Sequence, residues 1–390
     1  MGEHGLGEPV FEVLKRLAHY SSIAVDLSLY AIAFRDVRAS REVLRIEDTI
    51  DGDVSKIVAG TAVAVRAPSQ ADIAVGAVSL ASALDKVSDA AGDLAGMVLR
   101  GIPIHKFVAA SSVCCGEAVA LVKVRAKPSG KPPLIDILLL RRGDRYVLSP
   151  SWDEVSVGDT IVVRGPLEEV EELARLVNYS IYSQLSAGTP ALISAVAGDD
   201  LSAAILQAKS IARLMLDMAF HSLLYNDVWA AREVSRLEDE IDELYYRALG
   251  YSYAAGNPSA AEEMVSIAVF LDAMESLADA AASIARLVID GRVSELLIET
   301  VEESEEAYIK LEVTHEAAGR RLAELDLESL GVLPVAIRSR YTAVLPVPRD
   351  YTLQAGDVIF AKYYRGEGDP LESLRPLGLQ VIPPERGEED

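Results

Sequence analysis

A stretch of 22 residues that occurs twice constrains this chain more than any other feature. Residues 30–51 read YAIAFRDVRASREVLRIEDTID and residues 221–242 read HSLLYNDVWAAREVSRLEDEID, with eleven of the 22 positions identical and no gap. Arg41, Glu42, Glu47, Asp48 and Asp51 stand opposite Arg232, Glu233, Glu238, Asp239 and Asp242. A match this dense implies an internal duplication, so the chain must build one kind of structure twice. Residues 80–101, LASALDKVSDAAGDLAGMVLRG, continue the match against residues 270–291, FLDAMESLADAAASIARLVIDG, with one residue of slippage. Asp89 then faces Asp279 and Asp85 faces Glu275, so each half carries two acidic helices.

Periodicity predicts three helices per half: 8–35, 36–60 and 69–100, then 199–226, 227–250 and 258–290. In the second, Val43, Ile46, Ile50, Val54 and Ile57 recur at steps of three and four and make one apolar face. Short connections favour antiparallel packing, Gly250 and Gly291 read as helix stops, and Pro258 suits a helix start. After each helical unit the pattern shortens to strand period. Strands are expected at 118–125, 134–141, 145–148 and 160–164, with turns at Gly143-Asp144 and Gly158-Asp159 and a helix over 166–177. The second half should repeat them at 307–313, 332–337, 341–345 and 358–364, with a turn at Gly356-Asp357 and an added helical piece over 318–326. Residues 187–200 read as a linker between the halves and residues 383–390 as a frayed polar end.

The 390 residues carry 37 Lys and Arg against 60 Asp and Glu, a formal charge of -23, which argues against nucleic acid as a partner. Half the residues are hydrophobic, enough for sizeable cores. No uninterrupted apolar run reaches the roughly 20 residues of a membrane span, since residues 22–34 are cut by Asp26, and the start MGEHGLGEP has no secretory pattern. The only cysteines, Cys114 and Cys115, are adjacent and read as packing residues in a reducing, cytoplasmic interior. His4, His19, His105, His221 and His315 are scattered and no hydrolase or nucleotide-binding motif appears, so no enzyme is expected. Trp152 and Trp229 read as packing residues.

The carboxylates are the best candidates for chemistry. Glu47 and Asp51, like Asp85 and Asp89, are four residues apart and so share a helix face. Two antiparallel helices bring four such groups together, and their repulsion is relieved by a hard cation: Mg²⁺, Ca²⁺ or another divalent ion, or ferric iron. Glu238, Asp242, Glu275 and Asp279 are the same set in the second half. Small residues at Ser82, Gly92 and Gly96 leave space beside the first set. The plainer alternative is a solvated acidic face, partly paired with Arg41, Arg45, Arg232 or Arg236.

These segments resemble PhoU-like helical domains, and the sheet units with their Gly-Asp turns resemble TrkA-C, the C-terminal module of potassium conductance regulators. The resemblance implies an α+β chain of two pairing helical bundles, each followed by a small TrkA-C domain. The units are 8–116, 117–178 (shortened), 199–305 and 306–378. PhoU-like domains imply phosphate-transport regulation and E/D-x-x-x-D metal motifs. Where PhoU helices carry arginine after the first acid of the motif, this chain has Lys86 and Ser276. TrkA-C domains imply a cytoplasmic gating subunit that binds a ligand such as cyclic di-AMP between paired domains. Arg141, Arg142 and Arg338, with Pro150, Pro346 and Pro348, are the candidate ligand residues, arginine being suited to phosphate. No strand followed by a G-x-G-x-x-G turn is present, so NAD is not expected. The implied function is regulation of a membrane cation transporter or channel, with potassium the favoured ion. The alternative is a metal-binding PhoU-type regulator of phosphate homeostasis, and a metal-dependent hydrolase is a third reading. The duplication makes the monomer pseudo-twofold, and a homodimer is also compatible with it.

Overall fold

The computed structural model describes residues 8–113, 117–126, 133–177, 200–254, 261–304, 307–340, 342–364 and 370–384. His4, Cys114, Cys115, Pro258, most of the 187–200 linker and the end of the tail lie outside them.

The duplicated motif encodes a helix corner. α1 (Val10–Phe34) ends as Arg35 turns left-handed at φ 51°, and Asp36 caps α2 (Val37–Ala64) by accepting from the Arg38 and Ala39 amides at 2.9 and 3.1 Å. In the second half α6 (Asp200–Leu224) ends the same way at Asn226, φ 45°. Asp227 then caps α7 (Val228–Ala254) through the Trp229 and Ala230 amides at 3.0 and 3.2 Å. An aspartate cap satisfies amides that a helix start otherwise leaves unpaired, which is why this residue recurs at both corners.

The third helices, α3 (Pro68–Leu99) and α8 (Ala261–Ile289), stop at Gly101 and Gly291, whose φ of 69° and 67° favours glycine. The Ile102 amide donates back to Met97 and the Arg292 amide to Leu287 at 3.0 and 2.8 Å, closing both ends alike. Gly250, by contrast, does not stop a helix, because α7 runs through it to Ala254. Each trio packs on itself, and α3 packs on α8 to join the trios into one core lined by Leu80, Leu84, Phe270 and Leu277. Two short helices that the sequence pattern did not reveal, α4 (Lys106–Val113) and α9 (Glu295–Glu302), pack against α1 and α6. By length and composition α1 is apolar enough to cross a membrane, but most of it is buried in this core.

The first sheet comprises β1 (Ala118–Lys123), β2 (Asp136–Arg142), β3 (Arg145–Leu148) and β4 (Thr160–Gly165), in the order β1-β4-β2-β3 and wholly antiparallel. The second has β5 (Ala307–Val313), β6 (Val332–Arg338), β7 (Ala343–Val344) and β8 (Val358–Tyr363), plus an unexpected edge strand β9 (Leu379–Ile382) beyond the 378 boundary. Its order is β7-β6-β8-β5-β9. The expected helical piece at 318–326 is not an α-helix: its end and the residues after it form two 3-10 turns, Leu322–Leu325 and Leu327–Leu330.

Both sheets are covered on both faces, and strand alternation sorts the residues. Ile161 and Val163 pack under α5 (Leu167–Leu176), whereas Val162 and Arg164 face the helices. In β8, Ile359 and Ala361 enter the sheet's own core while Val358, Phe360 and Lys362 face the helices and Glu117.

This alternation delivers cations to buried acids. Arg164 pairs with Asp26 of α1 and with Asp136 of β2. Arg213 of α6 reaches Asp26 at 2.6 Å and Glu117 at 3.1 Å. Glu117 also takes Lys362 at 3.2 Å and the Tyr364 hydroxyl. Both sheets and both helix trios therefore meet in one network.

Candidate metal centre

α2 and α3 lie against each other and present their paired acids to one another. One carboxylate oxygen each from Asp51, Asp85 and Asp89 comes within 4.8 Å of the others. Among the described residues no other group of three histidines, cysteines or carboxylates gathers this closely. The fourth expected member, Glu47, is pressed onto Gly92, where a Cβ would stand 2.1 Å from Glu47 Oε2. The glycine leaves open the space that the Glu47 carboxylate occupies.

The electrostatics are those of acids short of cations. Burial first, then Asp89 and Asp51, pushes the Glu47 carboxyl up to about 7. Burial, the charges of Asp89 and Asp51, and a hydrogen bond with Asp51 push Asp85 up to about 6. Asp89 is raised by burial, Asp51 and Asp93. Asp85 Oδ1 is buried without a protein donor. A hard cation suits this all-oxygen set, because it lowers the repulsion and satisfies the orphaned oxygen together. Arg45 and Arg236, proposed as neutralisers in the plainer reading, are engaged elsewhere, with Glu42 at 2.5 Å and Glu233 at 2.9 Å.

The second set is partly compensated. Lys86 reaches across from α3 to pair with Asp279; burial and Asp279 raise the Glu275 carboxyl, and the Lys86 charge opposes them. Glu238 is raised by burial and Asp279 but is opposed by Arg286. Ala282 replaces Gly92 in the alignment, which denies Glu238 the seat that Glu47 takes. The twofold repeat of acids in the sequence is thus broken by two cations, Lys86 and Arg286, whose effect no local spacing predicts.

The candidate ligand residues of the sheets do not converge. Arg142 is held by Asp159 at 2.7 Å, and Arg338 by Asp227 at 3.3 Å over the Trp229 ring. Arg141 is half-buried in β2, Pro346 and Pro348 are exposed, and Pro150 lines a separate cleft of about 770 Å³ between α1 and the first sheet. Where the two sheet units approach each other, Glu117 meets Lys362 and the Tyr364 hydroxyl, and Leu134 lies beside Gly331. Of the histidines, His221 is wholly buried, Nε2 is 2.9 Å from the Ala361 carbonyl, and burial lowers it to about 4.

The fold and this site define an α+β protein whose helical bundles hold an interhelical carboxylate cluster. Residues 205–288, spanning most of α6 through α8, match the family model of the PhoU domain. Among solved structures, the chain is similar to PhoU from Pseudomonas aeruginosa at 16% identity and a TM-score of 0.39, over 71% of this chain and 94% of that one. No curated protein matches the sequence.

Proposed function

We propose that this chain is a non-enzymatic PhoU-type regulator of phosphate transport that binds a hard cation at Asp51, Asp85 and Asp89, with Glu47 beside them. The observation that carries the reading is the convergence of three carboxylates around a buried, unpartnered oxygen, in a chain whose second half matches the PhoU domain. In this reading the two halves are duplicated units of bundle and sheet. The bound cation relieves repulsion between α2 and α3 and so favours one arrangement of the bundle, which a membrane transporter then reads. The protein acts in the cytoplasm, at the membrane through that partner.

Regulation of potassium transport by ligand sensing in TrkA-C-like sheets ranks second. The arginines it needs are held in intramolecular pairs with Asp159 and Asp227. Affinity capture from native membranes, followed by identification of the partner, separates the two. A phosphate transporter is expected, and recovery of a potassium transporter instead would contradict the proposal.

A further inference from the structure

Where α3 meets α8 lies an open groove of about 330 Å³. It gathers Lys86, Arg286 and Arg292 with the hydroxyls of Ser79, Ser82 and Ser283. Asp290 is the acid in the lining, and Lys86 is shared with Asp279. Arg286 and Arg292 are exposed, and among the described residues neither forms an ion pair, although the charge of Arg286 is felt at Glu238.

Three cations line the recess against one lining acid, Asp290, and the planar fork of arginine matches the oxygen acceptors of a phosphate group; the Ser283 hydroxyl donates to the Asp279 carbonyl at 2.8 Å, which leaves Ser79 and Ser82 as the hydroxyls of the lining. The groove is also not a duplicated feature. The positions aligned with Lys86 and Arg286 hold Ser276 and Gly96, and those aligned with Ser82 and Ser283 hold Asp272 and Asp93. The related positions are therefore neutral where these are basic and acidic where these are serine. We infer that the α3–α8 groove binds a phosphate group, with Arg286 and Arg292 as its principal donors and Lys86 divided between the anion and Asp279. This goes beyond the metal reading and does not depend on it.

The test is calorimetric titration of the full chain at fixed ionic strength, in chelator, so that a cation at the acidic cluster cannot itself recruit phosphate. Inorganic phosphate and glycerol 3-phosphate serve as separate titrants, since a free or an esterified group offers the same oxygens. Saturable binding of either is expected, weakened about tenfold or more by Arg286→Ala and by Arg292→Ala, each of which removes a charge-assisted hydrogen bond. Arg349→Ala, an exposed cation paired with Glu328 away from the groove, should leave binding unchanged. Absence of saturable binding by both titrants, or variants at 286 and 292 that bind like the parent, would overturn the assignment. Both arginines are on or near the surface, so circular dichroism of the variants should match the parent.

Discussion

Lys86 on α3 forms an ion pair with Asp279 on α8, so the acid cluster of one half is neutralised by a side chain from the other half. The aligned Ser276 returns no such cation to Asp89. The two aligned sets of acids therefore differ electrostatically, the second having a cation paired with one of its members and the first having none.

Replacing Lys86 by serine should erase that difference. Lys86→Ser is expected to change stability by less than about 1 kcal/mol, because the pair is partly exposed. It should add a second, weaker Mn²⁺ equivalent per chain. Electron paramagnetic resonance of free Mn²⁺ during titration counts the equivalents, and an unchanged stoichiometry would refute the compensating role of the lysine.

Glu47 sets a pH dependence. Its carboxyl ionises near 7 in the folded chain against 4.5 for the reference group, so the folded state holds a proton that the unfolded state releases in between. Stability of the metal-free protein should fall as pH rises from 4.5 to about 7 and stay reduced above it. Glu47→Gln should remove the loss, giving about 1 kcal/mol at pH near 8 after allowance for solvent screening, and little change at pH near 4. Urea unfolding in chelator at the two pH values measures this.

Gly92→Ala separates helix stability from the site. The added Cβ conflicts only with the Glu47 carboxylate, the far end of a flexible side chain. The fold should therefore gain the helix preference of alanine, about 0.5–1 kcal/mol, as Glu47 swings outward. Thermal melting in chelator should show a higher midpoint, and a lower one would mean that Glu47 has nowhere else to go.

The Arg164 network should behave as a buried one. Arg164→Ala removes the cation that Asp136 and Asp26 share, at an expected cost of about 3–5 kcal/mol. Adding Asp136→Asn to that variant should recover part of the loss. Denaturant midpoints of the single and double variants give the coupling, and simple additivity would show that the pair contributes nothing jointly.

How much of this was legible in the sequence depended on whether the cause was local. The helix boundaries at Asp36 and Asp227, the stop at Gly291 and the strand turns at Gly143, Gly158 and Gly356 follow from residues within one turn of each other, and they read correctly. Gly250 misled because its helix continues in spite of the glycine penalty, and α4, α9 and β9 are too short to show a period. The acids of α2 and α3 were legible as i,i+4 pairs. Their unequal fates were not, since Lys86 reaches an acid 193 positions away. The pairings of Arg142 with Asp159 and of Arg338 with Asp227 were hidden for the same reason, since tertiary contacts make them and residue type alone does not reveal them.

The central claim is that Asp51, Asp85 and Asp89 hold a cation. Metal-free protein titrated with Mg²⁺, Mn²⁺ and Fe³⁺ and followed by thermal melting, beside Asp85→Asn and Asp89→Asn, tests it directly. A rise in melting temperature with at least one of these ions, absent in both variants, is the predicted result. No shift with any of them, or an equal shift in the variants, would contradict the account.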